Sequence, residues 1–518
     1  MTDAGLCRLA LRVLQPGFTS TGTQAATAPP DWVRRRIADG LGSVLLFGRN
    51  VRDAGQLAAL TAALHAADPE LIVAIDEEGG DVTRLEAASG SSYPGNLALG
   101  AVDEVELTER VARSLGRRLA AAGLDLDYAP DADVNSNPDN PVIGVRSFGA
   151  EPALVARHTA AWVRGLQSTG TAACAKHFPG HGDTSVDSHL ALPTVRLTRA
   201  ELTATALAPF RAAIDADVRT VMLGHLLLPA LDAEHPASMS PAAVRLLRAE
   251  LGFSGLIVTD ALEMAAVAAR YGVAGAAVRA LAAGADLLCI GSGGADELVT
   301  MLQSAIVAAV RAGELPEERL VEAGDRVRAL ARSRPAPAPS ATLAPALGTA
   351  ADDAADADDA DIGLLVARRA LKISVRLPGA FPLPAAPHHI AFTAAGPAAL
   401  GSVADTTLYA ELAARLPGTT FALLGEYTDV ALDRVSADAA GRPLVLSMRS
   451  AHRHAWMGRA LARILAVRPD AIVVELGFPA PSTLDAPDTQ SPGAAYLVAH
   501  GASRACARAV AEILAARS

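Results

Sequence analysis

The stretch TAACAKHFPGHGDTSVDSHLALP, residues 171–193, changes character in its middle, and that change decides the fold. Residues 171–178 form a short apolar run from which two polar residues, Lys176 and His177, emerge near the end. The residues that follow are rich in Gly, Asp and Ser, the composition of a loop rather than of a core element. A buried strand that releases polar side chains at its carboxyl end is the repeating unit of a parallel α/β sheet.

Outward from this stretch the pattern recurs. Apolar runs at 9–15, 43–48, 71–77, 124–130, 219–226, 255–260 and 285–291 read as further strands. Between them lie helical patterns such as ELTERVARSLGRRLAAAG (106–123) and PALVARHTAAWVRGLQSTG (152–170), each closing on Gly as a C-cap would. About eight βα units in roughly 300 residues predict an α/β chain whose first part is a (β/α)8 TIM-like barrel. A doubly wound open sheet normally needs fewer strands, and no GxGxxG opens the chain. Asp76, Asp131, Lys176 with His177, His225 and Asp260 all lie at or just beyond the end of an apolar run. In a barrel that edge carries the catalytic groups.

A chain of 518 residues exceeds one ordinary core. After Ala331 the composition shifts to RSRPAPAPSATLAPALG, a semi-rigid Pro/Ala linker, and then to the acidic spacer DDAADADDAD at 352–361. Beyond it HHIAF, TTFALLG, PLVLSMR and AIVVELG read as strands, accompanied by helical segments at 455–467 and 494–516. The expected organisation is a catalytic barrel over 1–331, a linker over 332–361, and a smaller α/β sandwich over 362–518.

Bulk properties exclude several classes. Hydrophobic residues reach 51% while aromatics are only 4%, because alanine carries much of the apolar content. No window approaches the ~18 uninterrupted apolar residues of a spanning helix. Arg8 and Arg12 interrupt the N-terminal apolar stretch, so no secretory signal is read and a cytoplasmic location is expected. The formal net charge of −11 comes with no basic stripe, which argues against nucleic acid as a partner. Cys7, Cys174, Cys289 and Cys506 are scattered, suggesting neither a disulfide framework nor a zinc ribbon.

The candidate chemistry is acid/base and nucleophilic. Asp260, in GLIVTDALEM, sits where a strand end meets a helical pattern. It reads equally well as a group facing a ligand or as a helix N-cap. In the loop after residue 178, Asp187 and His189 stand two apart. In extended chain such side chains point the same way, so the carboxylate can orient the imidazole and raise its pKa toward neutrality. His177, His181 and His189 fit no standard zinc spacing and there is no HExxH, so no metal is expected.

KHFPGHGDTSVDSHLALP resembles the signature of the β-N-acetylglucosaminidase branch of family 3 glycoside hydrolases, enzymes of bacterial cell-wall recycling. LLFGRN (45–50), AIDEEGG (74–80) followed by Thr83 and Arg84, IGVRSFG (143–149) and VTDALEM (258–264) add to it, and the likeness runs from about Leu9 to Ala331. It implies a retaining exo-β-N-acetylhexosaminidase that needs no cofactor and takes a carbohydrate substrate. By that resemblance Asp260 is the nucleophile and His189 the general acid/base, oriented by Asp187. Asp76, Arg84, Arg146, Lys176 and His177 would bind the terminal sugar. The Gly-containing loop is expected to bring His189 in after the sugar binds. One position departs from the pattern: Asp81 follows Gly80 where the family usually has Arg. Two alternatives remain open. A His acid/base repels phosphate less than Glu would, which suits a glycoside phosphorylase, and an inactive sugar-binding protein would keep the pocket without the chemistry.

Overall fold

The strands of the first sheet are short and fully buried. They are β1 (Leu14–Pro16), β2 (Ser43–Leu46), β3 (Ile72–Ile75), β4 (Leu126–Asp127), β5 (Ala172–Phe178), β6 (Thr220–Leu223), β7 (Leu256–Thr259) and β8 (Leu288–Ile290). This computed structural model describes residues 2–19, 26–188, 190–291, 295–333, 361–394, 406–426, 439, 441–480 and 492–515. His189 and nearly all of the linker expected over 332–361 lie outside the described residues.

β2 to β7 pair in chain order, all parallel, and β1 pairs in parallel with β8. Bridges from Gly17 to Leu45 and from Val258 to Leu287 join the two sets and close the ring. The closed ring is the (β/α)8 barrel read from the sequence. Its interior is filled by inward side chains, among them Leu45, Ile72, Ala74, Leu126, Tyr128, Cys174, Met222, Val258 and Leu287. The helices outside are locally specified as well. Asp53 caps Ala54–Ala67 by accepting from the Gln56 N–H, and Thr198 with Glu201 forms a capping box before Arg199–Ala204.

The N-terminal run 9–15 is not one strand. A helix, Asp3–Arg12, occupies most of it, with Thr2 accepting from Gly5 N–H and Leu6, Leu9 and Ala10 buried at helical spacing. Only Leu14 onward is extended, because three- and four-residue spacing overlaps a short apolar run too brief to separate the two periods.

The chain divides into two compact units, one of residues 1–77, 105–143 and 150–360, the other of 78–104, 144–149 and 361–518. The second unit is built on a six-stranded sheet of β9 (Lys372–Val375), β10 (His388–Phe392), β11 (Thr420–Leu424), β12 (Leu444–Met448), β13 (Ile472–Glu475) and β14 (Ala495–Val498). The order is β11-β10-β12-β13-β14-β9, parallel except for β9, which runs antiparallel to β14. Alternate residues of the central strands enter cores on opposite faces, Val445 and Val474 on one, Leu446 and Val473 on the other. This is the expected α/β sandwich. The segment 494–516 read as helix holds β14 before its helix, Arg504–Ala515. A strand covered on both faces is a continuous apolar run, without the alternation that would mark it. Among the described residues, no helix is long and apolar enough to cross a membrane.

Candidate active site

Parallel strands put their carboxyl ends on one rim of the barrel, and the polar residues follow. Asp76 comes directly after β3, Lys176 and His177 end β5, and Asp260 comes directly after β7. The Lys176 side chain is 2% exposed, and its Nζ lies 2.5 Å from Asp76 Oδ1. A buried ammonium requires such a partner. Asp127, on the strand between, is fully buried and accepts from the Glu77 N–H at 2.9 Å. Burial pushes its carboxyl well above the usual range, and the charges of Glu77 and Asp76 push the same way.

His177 is held from below. Its Nδ1 lies 2.7 Å from Asp133 Oδ2, and Asp133 Oδ1 accepts the His181 N–H at 2.6 Å. Burial alone would raise the Asp133 carboxyl, but the His177 charge and these hydrogen bonds hold it below the usual carboxylate range. With Nδ1–H donated to Asp133, His177 keeps Nε2 for other partners. The sequence reading missed Asp133. It lies at the end of a tract that alternates Asp with apolar residues, YAPDADV, but nothing local pairs it with a residue 44 positions away.

The loop after β5 is pinned at its near end. Asn140 Nδ2 donates to the His181 carbonyl at 2.8 Å and Asn137 Nδ2 to the Thr184 carbonyl at 3.0 Å. Gly182 passes so close to Val134 that a Cβ would lie 1.7 Å from its carbonyl oxygen, so only glycine fits. His181 completes the anchor, with Nδ1 2.7 Å from Thr184 Oγ1 and Nε2 3.1 Å from Ser188 Oγ. Ser188 lies between Asp187, which is buried, and His189.

Asp260 is not a helix cap. The following helix begins at Ala265 with Met264 as its N-cap, and Asp260 Oδ1 instead accepts the Ala261 N–H at 2.7 Å. Half-buried at the strand end, it turns to the next peptide and leaves the N-cap position to Met264. Buried His225 holds the next peptide: Nε2 donates to the Ala261 carbonyl at 2.9 Å, leaving Nδ1 to accept from Ser238 Oγ at 2.8 Å. Glu263 accepts the Gly291 N–H at 2.9 Å, and burial, with Asp260's charge adding to it, raises its carboxyl.

Arg84 and Arg146 belong to the second compact unit. There Arg146 meets Glu78 as a two-pronged pair, Nη2 to Oε1 at 2.7 Å and Nε to Oε2 at 3.0 Å, with both side chains under a tenth exposed. Asn96 Nδ2 donates to the Arg146 carbonyl at 2.7 Å.

Asp131, Asp133 and His177 bring ligand atoms within 4.8 Å of one another, the one such group among the described residues. Hydrogen bonding brings Asp133 and His177 together, since the His177 Nδ1 and both Asp133 oxygens serve one another and the loop, and Asp131 Oδ1 accepts the Asp133 N–H at 3.0 Å.

Residues 24–330 match the glycosyl hydrolase family 3 N terminal domain. The chain belongs to glycosyl hydrolase family 3. It is 37% identical over 283 residues to beta-hexosaminidase A of Pseudoalteromonas piscicida, covering 50% of this chain and 47% of that protein. It is 40% identical over 253 residues to beta-hexosaminidase LpqI of Mycobacterium tuberculosis, covering 48% and 64%. The match thus spans about half to just under two thirds of these relatives' lengths. A solved family 3 β-N-acetylglucosaminidase from Paenibacillus sp. FPU-7 is similar over 99% of this chain and 97% of its own, at 32% identity and a TM-score of 0.84.

Proposed function

We propose that the protein is a retaining exo-β-N-acetylhexosaminidase that removes terminal β-linked N-acetylglucosamine from peptidoglycan fragments in the cytoplasm. The observation that carries this reading is the place of the Asp260 carboxylate directly after β7, on the rim where Asp76, Lys176 and His177 also end their strands. The family 3 match and the beta-hexosaminidase relatives support the sugar assigned.

In the proposed reaction an Asp260 oxygen attacks the anomeric carbon as the bond to the leaving oxygen breaks. His189, protonated and oriented by Asp187, gives its proton to that oxygen. The glycosyl ester then meets a water whose proton returns to His189, and its oxygen displaces Asp260. Two inversions retain the configuration. Asp76, Lys176, His177, Arg84 and Arg146 bind the terminal sugar, and charged hydrogen-bonding groups of this kind reject an analogue lacking a hydroxyl. With residues 180–184 pinned by Asn137 and Asn140, any closure that brings His189 to the sugar falls to the residues beyond Thr184.

The test is Asp260→Ala assayed on an aryl β-N-acetylglucosaminide, with and without phosphate. Release of N-acetylglucosamine should be abolished in the variant, and full activity there would sink the proposal. In the unaltered protein, a sugar 1-phosphate as main product would assign phosphorolysis instead.

A further inference from the structure

Arg84 lies on a stretch whose two ends are gripped by the C-terminal sandwich. Three residues before it, Asp81 turns its side chain, 1% exposed, to Arg449, which directly follows the last residue of β12. The second Asp81 oxygen accepts the Ala502 N–H at 2.7 Å, and the Ala502 carbonyl accepts in turn from Thr407 Oγ1 at 3.0 Å. Two residues after Arg84, Glu86 pairs with Arg504 at 2.7 Å while its other oxygen accepts from Ser92 N–H and Oγ–H. Ala505 N–H then donates to the Ser91 carbonyl at 3.2 Å, tying the stretch to the first turn of helix Arg504–Ala515.

The backbone beside these grips is equally constrained. Gly80 has φ +60 and passes Gly95 so closely that a Cβ would lie 2.4 Å from the Gly95 Cα. Farther along the same segment, Ala98 enters the core that includes Leu364 and Val510, and Glu104 pairs with Arg369 at 2.7 Å. In chain order the whole segment from 78 to 104 lies between β3 and β4 of the barrel, yet it packs as part of the second unit.

We infer that the sandwich is a positioning platform for Arg84: Arg449 through Asp81, and Arg504 through Glu86, fix the turn that carries it. This rests on the proposed role of Arg84 in binding the terminal sugar. It also accounts for Asp81 at a position where the family usually has Arg, since an arginine there would face the Arg449 guanidinium. Arg449 and Arg504 touch no substrate in this account and act only through the turn. A misplaced binding group weakens recognition before it alters the bond-breaking step, so the effect belongs mainly to KM.

The test uses the full-length chain. For Arg449→Gln, KM on an aryl β-N-acetylglucosaminide should rise about tenfold while kcat changes much less. Hydrogen exchange of amides 81–86 should quicken in the same variant. The exchanged pair Asp81→Arg with Arg449→Asp restores the ion pair but leaves the Ala502 N–H without its acceptor, so it should recover only part of the lost KM. Should Arg449→Gln not fold, Arg449→Lys keeps the charge but loses the fork, and a smaller rise in KM is expected. Unchanged KM in the Arg449 variant beside a raised KM in Arg84→Ala would overturn the platform. Unchanged KM in Arg84→Ala itself would instead remove the sugar-binding role on which it rests, whatever the exchange of amides 81–86 shows.

Discussion

Replacing Asp133 by Asn keeps the shape of the side chain and removes the charge that organises His177. At present Asp133 accepts the His177 Nδ1–H at 2.7 Å and the His181 N–H at 2.6 Å, with no solvent in reach of its side chain. An asparagine oxygen can still satisfy the backbone donor, but its amide nitrogen then faces Nδ1 and cannot accept from it. The imidazole must move its proton to Nε2 or give up the contact, and either way Nε2, the nitrogen proposed to meet the sugar, changes character. A hydrogen bond to a charged group contributes about 1.5–3 kcal/mol. Loss of that orientation should therefore lower kcat/KM on an aryl β-N-acetylglucosaminide by about tenfold to a hundredfold. The same pair sets an acid limit. Because the folded Asp133 carboxyl lies below its unfolded value, its stabilisation is complete above about pH 4 and is lost as pH falls through the lowered folded value. Asp133→Asn should flatten that part of the stability curve. A variant that folds normally and keeps kcat/KM within threefold of the parent would show that His177 needs no such support.

Two further substitutions separate stability from chemistry. Asp286, fully buried at the opposite end of the strands from the candidate site, accepts from Arg248, Arg319, Arg326 and the Ile257 N–H, and burial draws Arg248 down to about 10. Asp286→Ala removes the carboxylate shared by three guanidiniums. Among the partners described, Arg319 and Arg326 keep Glu322, Arg319 also the Ala285 carbonyl, and Arg248 the Phe253 and Gly255 carbonyls. The loss should cost about 3 kcal/mol, read as a lower thermal midpoint with kcat/KM of the folded protein unchanged; an unshifted midpoint would contradict this. In the second unit Glu475 is fully buried, accepts the N–H groups of Ser450, Ala451 and Gly477, and is pushed by burial up to about 7. A carboxyl raised in the folded state stabilises most below its unfolded pKa of about 4.3, and that contribution fades as pH rises to about 7. Glu475→Gln should remove about 3 kcal/mol of this pH dependence, and denaturant titrations at pH 5 and pH 8 that keep the parental difference would refute the assignment.

The barrel was readable because each of its strands carries its own evidence. A parallel strand buried on both faces is mostly apolar along its length, so six of the eight appear as runs that stop where polar residues begin, while β4 carries the buried Asp127 within it. The two misread runs share one cause. At residues 9–15 and 494–498 a short apolar run is consistent with either period, and only the partner settles which it adopts. For Leu14–Pro16 the partner is β8, more than 270 residues later, and for Ala495–Val498 the partners are β13 and β9.

The site was readable in proportion to how local its chemistry is. Lys176 and His177 announce themselves by interrupting an apolar run, and Asp260 by ending one. Whether Asp260 caps the next helix could not be read, since that depends on where the helix starts, and Met264 takes the cap position. Asp133 carried too little signal because it acts on a residue far away in sequence, His177, and His225 was placed at the rim without its partner, Ala261. Asp81 is the instructive case. Read locally, it was a lost positive charge near Arg84, a residue proposed to bind the sugar; in the fold, its side chain turns to Arg449, 368 residues on. A substitution that looks like damage within one motif becomes a fit once its partner is known. The residue to change first is therefore Arg449, because it leaves the barrel's own sequence intact.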